Sequence, residues 1–356
     1  MDRPTARTLD LAALEQAAAE VVDLAAATLR ERFAAGIAAE QVEFKDRHQR
    51  DPVTAVDRAI EALVRRELKA RFPDHGILGE EGTGEGIESE LLWVLDPIDG
   101  TANFAAGLPF YGLSLALLRY GEPVVGCLLV PFWPGSGEGA VLRASLGNGA
   151  SIGGKRIHLE RQPFRPGGPV AVPPGLRMMF GLSGAYAKRS GEARNLGSIV
   201  AEIAMVATGG FQYAVFGGPK LWDVAAGALI VREAGGAALT WQGGRWRPIV
   251  RFRPPVRKPG RKPDEKPKTL RDWSQPVLVA GPGAAGHVAA GLAPHRPLTP
   301  AVKWALGRRR AVRDWWRKRR GKGQSPPAPP STPPASATPD TTDTGDSNTP
   351  TPPASA

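Results

Sequence analysis

The chain has one cysteine in 356 residues, Cys127, so no internal disulfide can form and a disulfide-stapled scaffold is excluded. Within "PVVGCLLVP" that thiol reads as a small buried hydrophobe. No run of eighteen apolar residues occurs, which excludes a single hydrophobic spanning helix. The opening "MDRPTARTLD" lacks the charged-then-apolar order of a secretory signal, and the expectation is a cytoplasmic protein. The five histidines and the cysteine form no group with zinc spacing, so oxygen is the ligand atom on offer. Internal repeats are also missing.

What is present is enough to fold. The hydrophobic share of 42% supports a substantial core in one large or two ordinary domains. A net charge of +11 suggests nucleic acid until it is divided along the chain. Residues 245–272 and 304–322 contribute +8 each, and the tail from 323 contributes −3, leaving the rest of the chain at −2. The basicity belongs to an insertion and an extension, and site chemistry should be sought in a nearly neutral body.

"LDLAALEQAAAEVVDLAAATLRERFAAG" has helical spacing and a stop at Gly36, and "AVDRAIEALVRRELKARFP" predicts a second helix with Ile60, Leu63, Val64 and Leu68 on one face. Short apolar runs bounded by Gly or Pro follow, "LLWVL", "YGLSLALLRY", "PVVGCLLVP" and "GAVLRAS", and predict a sheet. An alternating section comes next: strand "LRMMFGL", helix "GSIVAEIAMVATG", strand "GFQYAVF", helix "LWDVAAGALIVREAG" and strand "AALTW". A last strand and helix are expected at "QPVLVAG" and "GAAGHVAAGL". The order implies layered α/β or α+β architecture, with an N-terminal α+β subdomain over 1–165 and a C-terminal α/β subdomain over 166–300. Residues 251–272 are too charged and Pro-rich for a core element and are expected to form a mobile surface insertion. A basic Trp-containing helix is expected over 301–323 and a disordered Pro/Ser/Thr-rich tail over 324–356.

"LLWVLDPIDGTANF" ends an apolar strand in two acids, Asp96 and Asp99. That delivers both carboxylates to the rim of a sheet, where open α/β folds commonly place ligands. Two such carboxylates repel, and a divalent cation makes the pair favourable. With only oxygen donors in play, magnesium is the natural choice. Gly100 and Thr101 add backbone N–H groups at a turn where glycine allows close approach, which suits a phosphate oxygen. A D-x-x-D turn alone also reads as a solvated turn. The same holds for Glu80 and Glu81 in "ILGEEG", and for Asp57 in "DPVTAVDRAI" and Asp223 in "LWDVAAGALIVREAGG", either of which could be a helix cap. Trp93 and Trp222, beside the acids, read as wedges in the core.

Together, "WVLDPIDGTANF" and "LWDVAAGALIVREAGG", with "VTAVD" and "GEE" upstream in the expected order, resemble the inositol monophosphatase family of metal-dependent, lithium-sensitive phosphatases. The resemblance runs over roughly residues 10–245 and resumes over 276–292. It implies an α/β/α/β/α sandwich, usually dimeric, and hydrolysis of a small phosphorylated metabolite. It also implies two magnesium ions: Glu80, Asp96 and the Ile98 carbonyl around the first, and Asp96, Asp99 and Asp223 around the second. A weaker third ion would involve Glu80 and Asp57. Thr101 and Glu80 match the pair that activates water, and the Gly100 and Thr101 amides, with Asp99 and Asp223 alongside, match the phosphate site. Lys45 matches a catalytic-loop lysine only across a one-residue insertion.

Seven residues before Asp223, inositol-specific relatives carry a glutamate that contacts a substrate hydroxyl, and this chain has Phe216. A phenyl ring cannot accept that bond, which leaves 3'-phosphoadenosine 5'-phosphate, fructose 1,6-bisphosphate and histidinol phosphate as alternatives to inositol 1-phosphate. Lys220 could meet a second phosphate or be a solvated surface lysine. "KWALGRRRAVRDWWRKRRGKG" combines clustered positive charge with Trp304, Trp315 and Trp316, and could bind an anionic membrane surface or nucleic acid. Truncation after residue 300 should then leave phosphatase turnover unchanged while abolishing association with anionic vesicles or RNA. Failure of the intact chain to associate at low salt would discard the tethering role.

Overall fold

The computed structural model describes residues 9–36, 42–44, 52–82, 84–133, 139–256 and 267–295. Lys45, the middle of the basic insertion, the basic Trp-containing helix and the Pro-rich tail lie outside these residues. A division of the chain by its contacts falls between Arg296 and Pro297, and everything below concerns the first part.

Two long helices begin the chain. Helix α1 (Leu11–Ala35) is capped by the Asp10 side chain on the Ala13 amide and stops at Gly36, whose φ of 74° ends the helical path. After a short antiparallel pair, β1 (Val42–Phe44) and β2 (Pro52–Thr54), comes helix α2 (Ala55–Arg71). Ile60, Val64 and Leu68 are fully buried on one face of α2, and Leu63 stands half-buried at its edge.

A seven-stranded sheet follows, its order the same as the chain order: β3 (Gly76–Gly79), β4 (Leu91–Asp99), β5 (Gly112–Arg119), β6 (Glu122–Val130), β7 (Ala140–Ser145), β8 (Gly149–Ile152) and β9 (Lys155–Ile157). Only β3 and β4 run parallel. Short helix α3 (Thr101–Ala105) leaves the end of β4.

The second half supplies β10 (Pro169–Ala171), α4 (Leu176–Met179), β11 (Phe180–Leu182), α5 (Gly184–Lys188), β12 (Glu192–Arg194), α6 (Ile199–Ala207), β13 (Tyr213–Phe216), α7 (Leu221–Glu233), β14 (Ala237–Gln242), β15 (Arg245–Pro248), β16 (Val277–Ala280), α8 (Ala285–Gly291) and β17 (Leu292–Pro294). Six of these strands form a mixed sheet in the order β12-β10-β13-β16-β14-β15, while β11 and β17 pair apart from it.

Three hydrophobic clusters define five layers. The first lies between α1, α2 and one face of the seven-stranded sheet, through Trp93, Leu95, Leu113, Leu115 and Leu117. The second joins the other face, through Leu92, Val94, Ala116 and Leu118, to α6, α7 and one face of the second sheet. The third packs α5 and α8 on that sheet's far side, through Tyr186, Val288, Leu278 and Tyr213. Strand alternation explains the division, since odd and even positions of β4 and β5 face opposite layers. The fold is therefore the expected α/β/α/β/α sandwich. Its α7 is buried along almost its whole length because it lies between two sheets.

Two expectations need correction. "LRMMFGL" is not one strand: after Gly175, left-handed at φ 74°, Leu176–Met179 make a helical turn with Met178 exposed, and only Phe180–Leu182 extend. The insertion at 251–272 is not wholly a mobile surface segment. Phe252 is buried, donates its amide to Gly121 O (2.8 Å) and packs edge-on against Trp273, and Leu270 is buried beyond it. Apolar anchors inside a charged stretch were hidden by its composition.

Close approach of α7 to β6 requires Gly126. A Cβ there would stand 2.8 Å from Ala226 O and 3.0 Å from Ala226 Cα, both backbone atoms that cannot swing away. Gly126→Ala should destabilise the protein by about 1–3 kcal/mol through overpacking, as read from the urea midpoint; an unchanged midpoint would contradict this packing.

Candidate active site

Strand β4 carries Asp96 and Asp99 at its end, and ordinary alternation would send residues three apart to opposite faces. The register prevents this. Asp96 pairs with Ser114 and Asp99 with Gly112, so three steps on β4 match two on β5, a one-residue bulge. Pro97, with no N–H to give the ladder, sits inside it. Leu92 and Val94 face the α7 layer while Ile98 faces the α1/α2 layer, which marks where the alternation reverses. Both aspartates consequently face α7.

Other elements bring the remaining acids. Strand β3 runs parallel to β4 and its continuation pairs Glu80 N with Leu95 O (3.1 Å), placing Glu80 beside Asp96 within carboxyl–carboxyl hydrogen-bond reach. Asp223 lies in the first turn of α7 and accepts the Lys220 amide at 2.7 Å. Asp57 is buried at the start of α2, where it accepts from Thr54 N (2.8 Å) and Thr54 Oγ1 (2.5 Å). It is thus a cap, and also more than a cap. The Thr101 hydroxyl lies 3.1 Å from Asp57 Oδ1 and 2.8 Å from the Ile98 carbonyl, to which its single proton can be given in turn.

Gly100 links the strand to α3 with φ 82°, and a Cβ on it would meet Phe110 O at 2.9 Å and Ser198 Cβ at 3.1 Å. Only glycine fits this turn. The helical bonds of α3 begin with Asn103 N and Phe104 N to Gly100 O, so the Gly100 and Thr101 amides come before the ladder.

The electrostatics follow from burial. Asp96 is raised well above the ordinary carboxylate range, first by desolvation and then by the charges of Glu80, Asp99 and Asp223. Desolvation also raises Asp223, with Asp99 adding to it and the Lys220 amide opposing. Asp99 is pushed up to about 7 by burial, against the lowering effect of the Ser198 hydroxyl and the Val200 amide. Burial raises Asp57 as well, while its Thr54 and Thr101 bonds hold it down. One atom stands out: Asp96 Oδ1 is buried and has no hydrogen-bond partner.

Among the described residues no three His, Cys, Asp or Glu side chains already form a finished metal-ligand group. Several of these carboxylates are hydrogen-bonded instead: Asp99 Oδ2 by Ser198 Oγ and Val200 N (2.8 Å), Asp223 by Lys220 N, and Asp57 by Thr54. Glu80, Asp96, Asp99 and Asp223 are brought together as a mutually repelling set, with Asp57, Thr101 and Ile98 joined to its edge.

Sequence reasoning missed Ser198, Val200 and Arg271. Ser198 was legible as the cap of α6, accepting from Ala201 N, but not as a donor to Asp99, 99 residues away. Arg271 lay inside a segment expected to be a mobile surface insertion. Trp93 is fully buried, with Nε1 donating to His75 Nδ1 (3.1 Å), and Trp222 is buried beside Asp223, as expected of core wedges. Lys220 is exposed.

A carboxylate raised in the folded state binds more protons there than in the unfolded chain, so it stabilises at low pH and loses that contribution as pH rises. For Asp99 the window runs from near its ordinary 3.8 to about 7. In EDTA, wild-type Tm should carry a downward contribution across this window that Asp99→Asn lacks. Parallel Tm–pH curves for the two proteins would contradict the burial of this charge.

Comparison with known proteins places the chain among relatives. The Inositol monophosphatase family profile matches residues 10–275. The chain is 34% identical over 201 residues to "Nus factor SuhB" of Pasteurella multocida, covering 54% of this chain and 73% of that one. It is 33% identical over 205 residues to "Fructose-1,6-bisphosphatase/inositol-1-monophosphatase" of Thermotoga maritima, covering 54% and 73% respectively. Among solved structures, the fold resembles the extragenic suppressor protein SuhB of Bartonella henselae (TM-score 0.61, 23% identity, 78% of this chain and 97% of that one). It also resembles the inositol monophosphatase of Anabaena (TM-score 0.58, 24% identity, 79% and 96%). With three-quarters of its length matched by the profile and its layers and acidic cluster in place, the chain belongs to the inositol monophosphatase family.

Proposed function

We propose that the chain is a magnesium-dependent phosphomonoesterase acting on a small phosphorylated metabolite. The observation that carries this reading is Asp96 Oδ1, a buried acceptor without a partner, set among Glu80, Asp99 and Asp223. An oxygen-only donor set of this charge suits a hard cation, and the strain of assembling it is what a divalent ion relieves. Glu80, Asp96 and the Ile98 carbonyl would hold one magnesium ion, and Asp96, Asp99 and Asp223 a second. Glu80 and Asp57 would share a weaker third. When bound, magnesium supplies charge neutralisation of the phosphoryl oxygens and acidifies water at neutral pH.

The chain's own residues account for the rest. Thr101, poised between Asp57 Oδ1 and the Ile98 carbonyl, can donate its hydrogen bond to either and accept from a water, which Glu80 would orient. The amides of Gly100 and Thr101 face the phosphate as donors to a non-bridging oxygen. Ser198 and the Val200 amide hold Asp99 by one oxygen and fix its second. The catalytic contribution of Lys45 is part of the same proposal.

Substrate choice is narrower on one side than the other. Phe216 is buried at the end of β13 and offers no acceptor where inositol-specific relatives carry a glutamate. Its apolar ring makes myo-inositol 1-phosphate, still the leading substrate, less secure, with fructose 1,6-bisphosphate, 3'-phosphoadenosine 5'-phosphate and histidinol phosphate as alternatives. The Thermotoga maritima relative is named for activity on both fructose 1,6-bisphosphate and inositol 1-phosphate, which supports a small phosphomonoester without choosing between them.

Phosphate release from these four compounds with magnesium tests the reading. At least one should turn over, and Asp96→Asn and Asp223→Asn should each lose about a hundredfold or more, above what losing a group that merely supports a ligand typically removes. Far-UV circular dichroism and Tm in EDTA should show both variants folded. Full activity in either variant would overturn the assignment.

A further inference from the structure

The loop that carries Glu80 is gripped on both polar sides by side chains outside the reaction site. Its amides point to Glu61 on α2: Glu81 N donates to Oε2 and Gly82 N to Oε1, both at 2.8 Å. Glu61 is 4% exposed and also accepts from Arg65 Nε at 2.9 Å. The loop's carbonyls point the other way, to Arg271. Nη1 donates to Gly79 O (2.8 Å) and Gly82 O (2.7 Å), and Nη2 to Glu80 O (2.8 Å). A carboxylate thus meets the positive ends of the peptide dipoles and a guanidinium the negative ends, so both side chains favour one conformation of the loop.

The flanking glycines belong to the same device. A Cβ at Gly79 or Gly82 would lie 2.4 Å from the Glu61 carboxylate, so "GEEG" is glycine-bounded because that carboxylate occupies the space.

Arg271 also reaches across the site. Its guanidinium carbon stands 5.5 Å from the centroid of Trp222, the residue before Asp223, and the Trp222 carbonyl accepts from Ser114 Oγ at 2.7 Å. One planar group therefore binds three carbonyls of the Glu80 loop and stacks on the first turn of the helix that brings Asp223. An ammonium is a point donor and cannot do both.

We propose that Arg271 is a positioning residue, which sets the Glu80 carboxylate against Asp96 and couples that setting to the Asp223 helix. It rests on the phosphatase reading, because the consequence of the setting is the affinity of the acidic cluster for magnesium. The C-terminal end of the basic insertion thereby completes the site, acting through the backbone of the loop and touching neither substrate nor ion.

The test compares full-length wild type with Arg271→Ala, Arg271→Lys and the control Lys268→Ala, whose ammonium bonds only Asp272 among the contacts seen here. Arg271→Ala should raise the magnesium concentration for half-maximal turnover by about tenfold or more, as loss of a group that orients a ligand typically does, with a smaller change in KM for substrate. It should shrink the magnesium-induced rise in Tm and speed hydrogen exchange at the Glu81 and Gly82 amides in metal-free protein by about tenfold. Arg271→Lys should not restore these, and Lys268→Ala should match wild type. A lower Tm in Arg271→Ala with an unchanged magnesium requirement and unchanged magnesium-induced Tm shift would make Arg271 mere structural glue and overturn the proposal. The phosphatase reading fails separately, by a wild type that binds magnesium without turnover; the magnesium-induced Tm shift then still decides the role of Arg271. A wild type with no such shift overturns both.

Discussion

The constraint on which the rest of this structure depends is the mutual repulsion of four clustered carboxylates, of which Asp96 and Asp99 are buried. Glu80, Asp96, Asp99 and Asp223 come from three separate elements, and each of the three aspartates is raised by burial before its neighbours' charges are added. Such a set is unfavourable to folding on its own account. It persists because the surrounding layers are large and apolar: α7 alone buries ten residues between two sheets. The stability of the sandwich is what allows the cluster to exist.

Several local devices serve that end. The bulge at Pro97 turns two acids onto one face of a strand that would otherwise separate them. Gly100 permits the turn that follows, because the walls formed by Phe110 O and Ser198 leave no room for a Cβ. Thr54, Ser198 and the Lys220 amide each engage one oxygen of a carboxylate, so orientation is set by groups that neither carry charge nor reach into the cluster. Holding one oxygen while leaving the other directed is how a ligand is kept aimed without being neutralised.

The basic insertion changes the balance between the two halves of the molecule. Its flanks are tied down at Phe252, Leu270 and Arg271, against Gly121, Trp273 and the Glu80 loop. A charged, proline-rich stretch can thus end in residues that pack and bond as core residues do. Composition averages over the stretch, and the energetics are decided at its two ends.

Much was legible in the sequence because the information is local. Helical spacing, Gly36 as a stop, the apolar strand runs and the order of the acidic motifs all follow from neighbours along the chain. The candidate acids were likewise legible, since a strand ending in Asp96 and Asp99 announces itself. Only the tertiary structure decided that the two face the same way, because a one-residue bulge is invisible until a partner strand sets the register. It alone paired Ser198 with Asp99 and Arg271 with the Glu80 loop, contacts spanning 99 and 191 residues that no periodicity encodes. Local pattern determines which segments are helix, strand and turn; which polar groups meet depends on how the layers stack, and that is a property of the whole packed core.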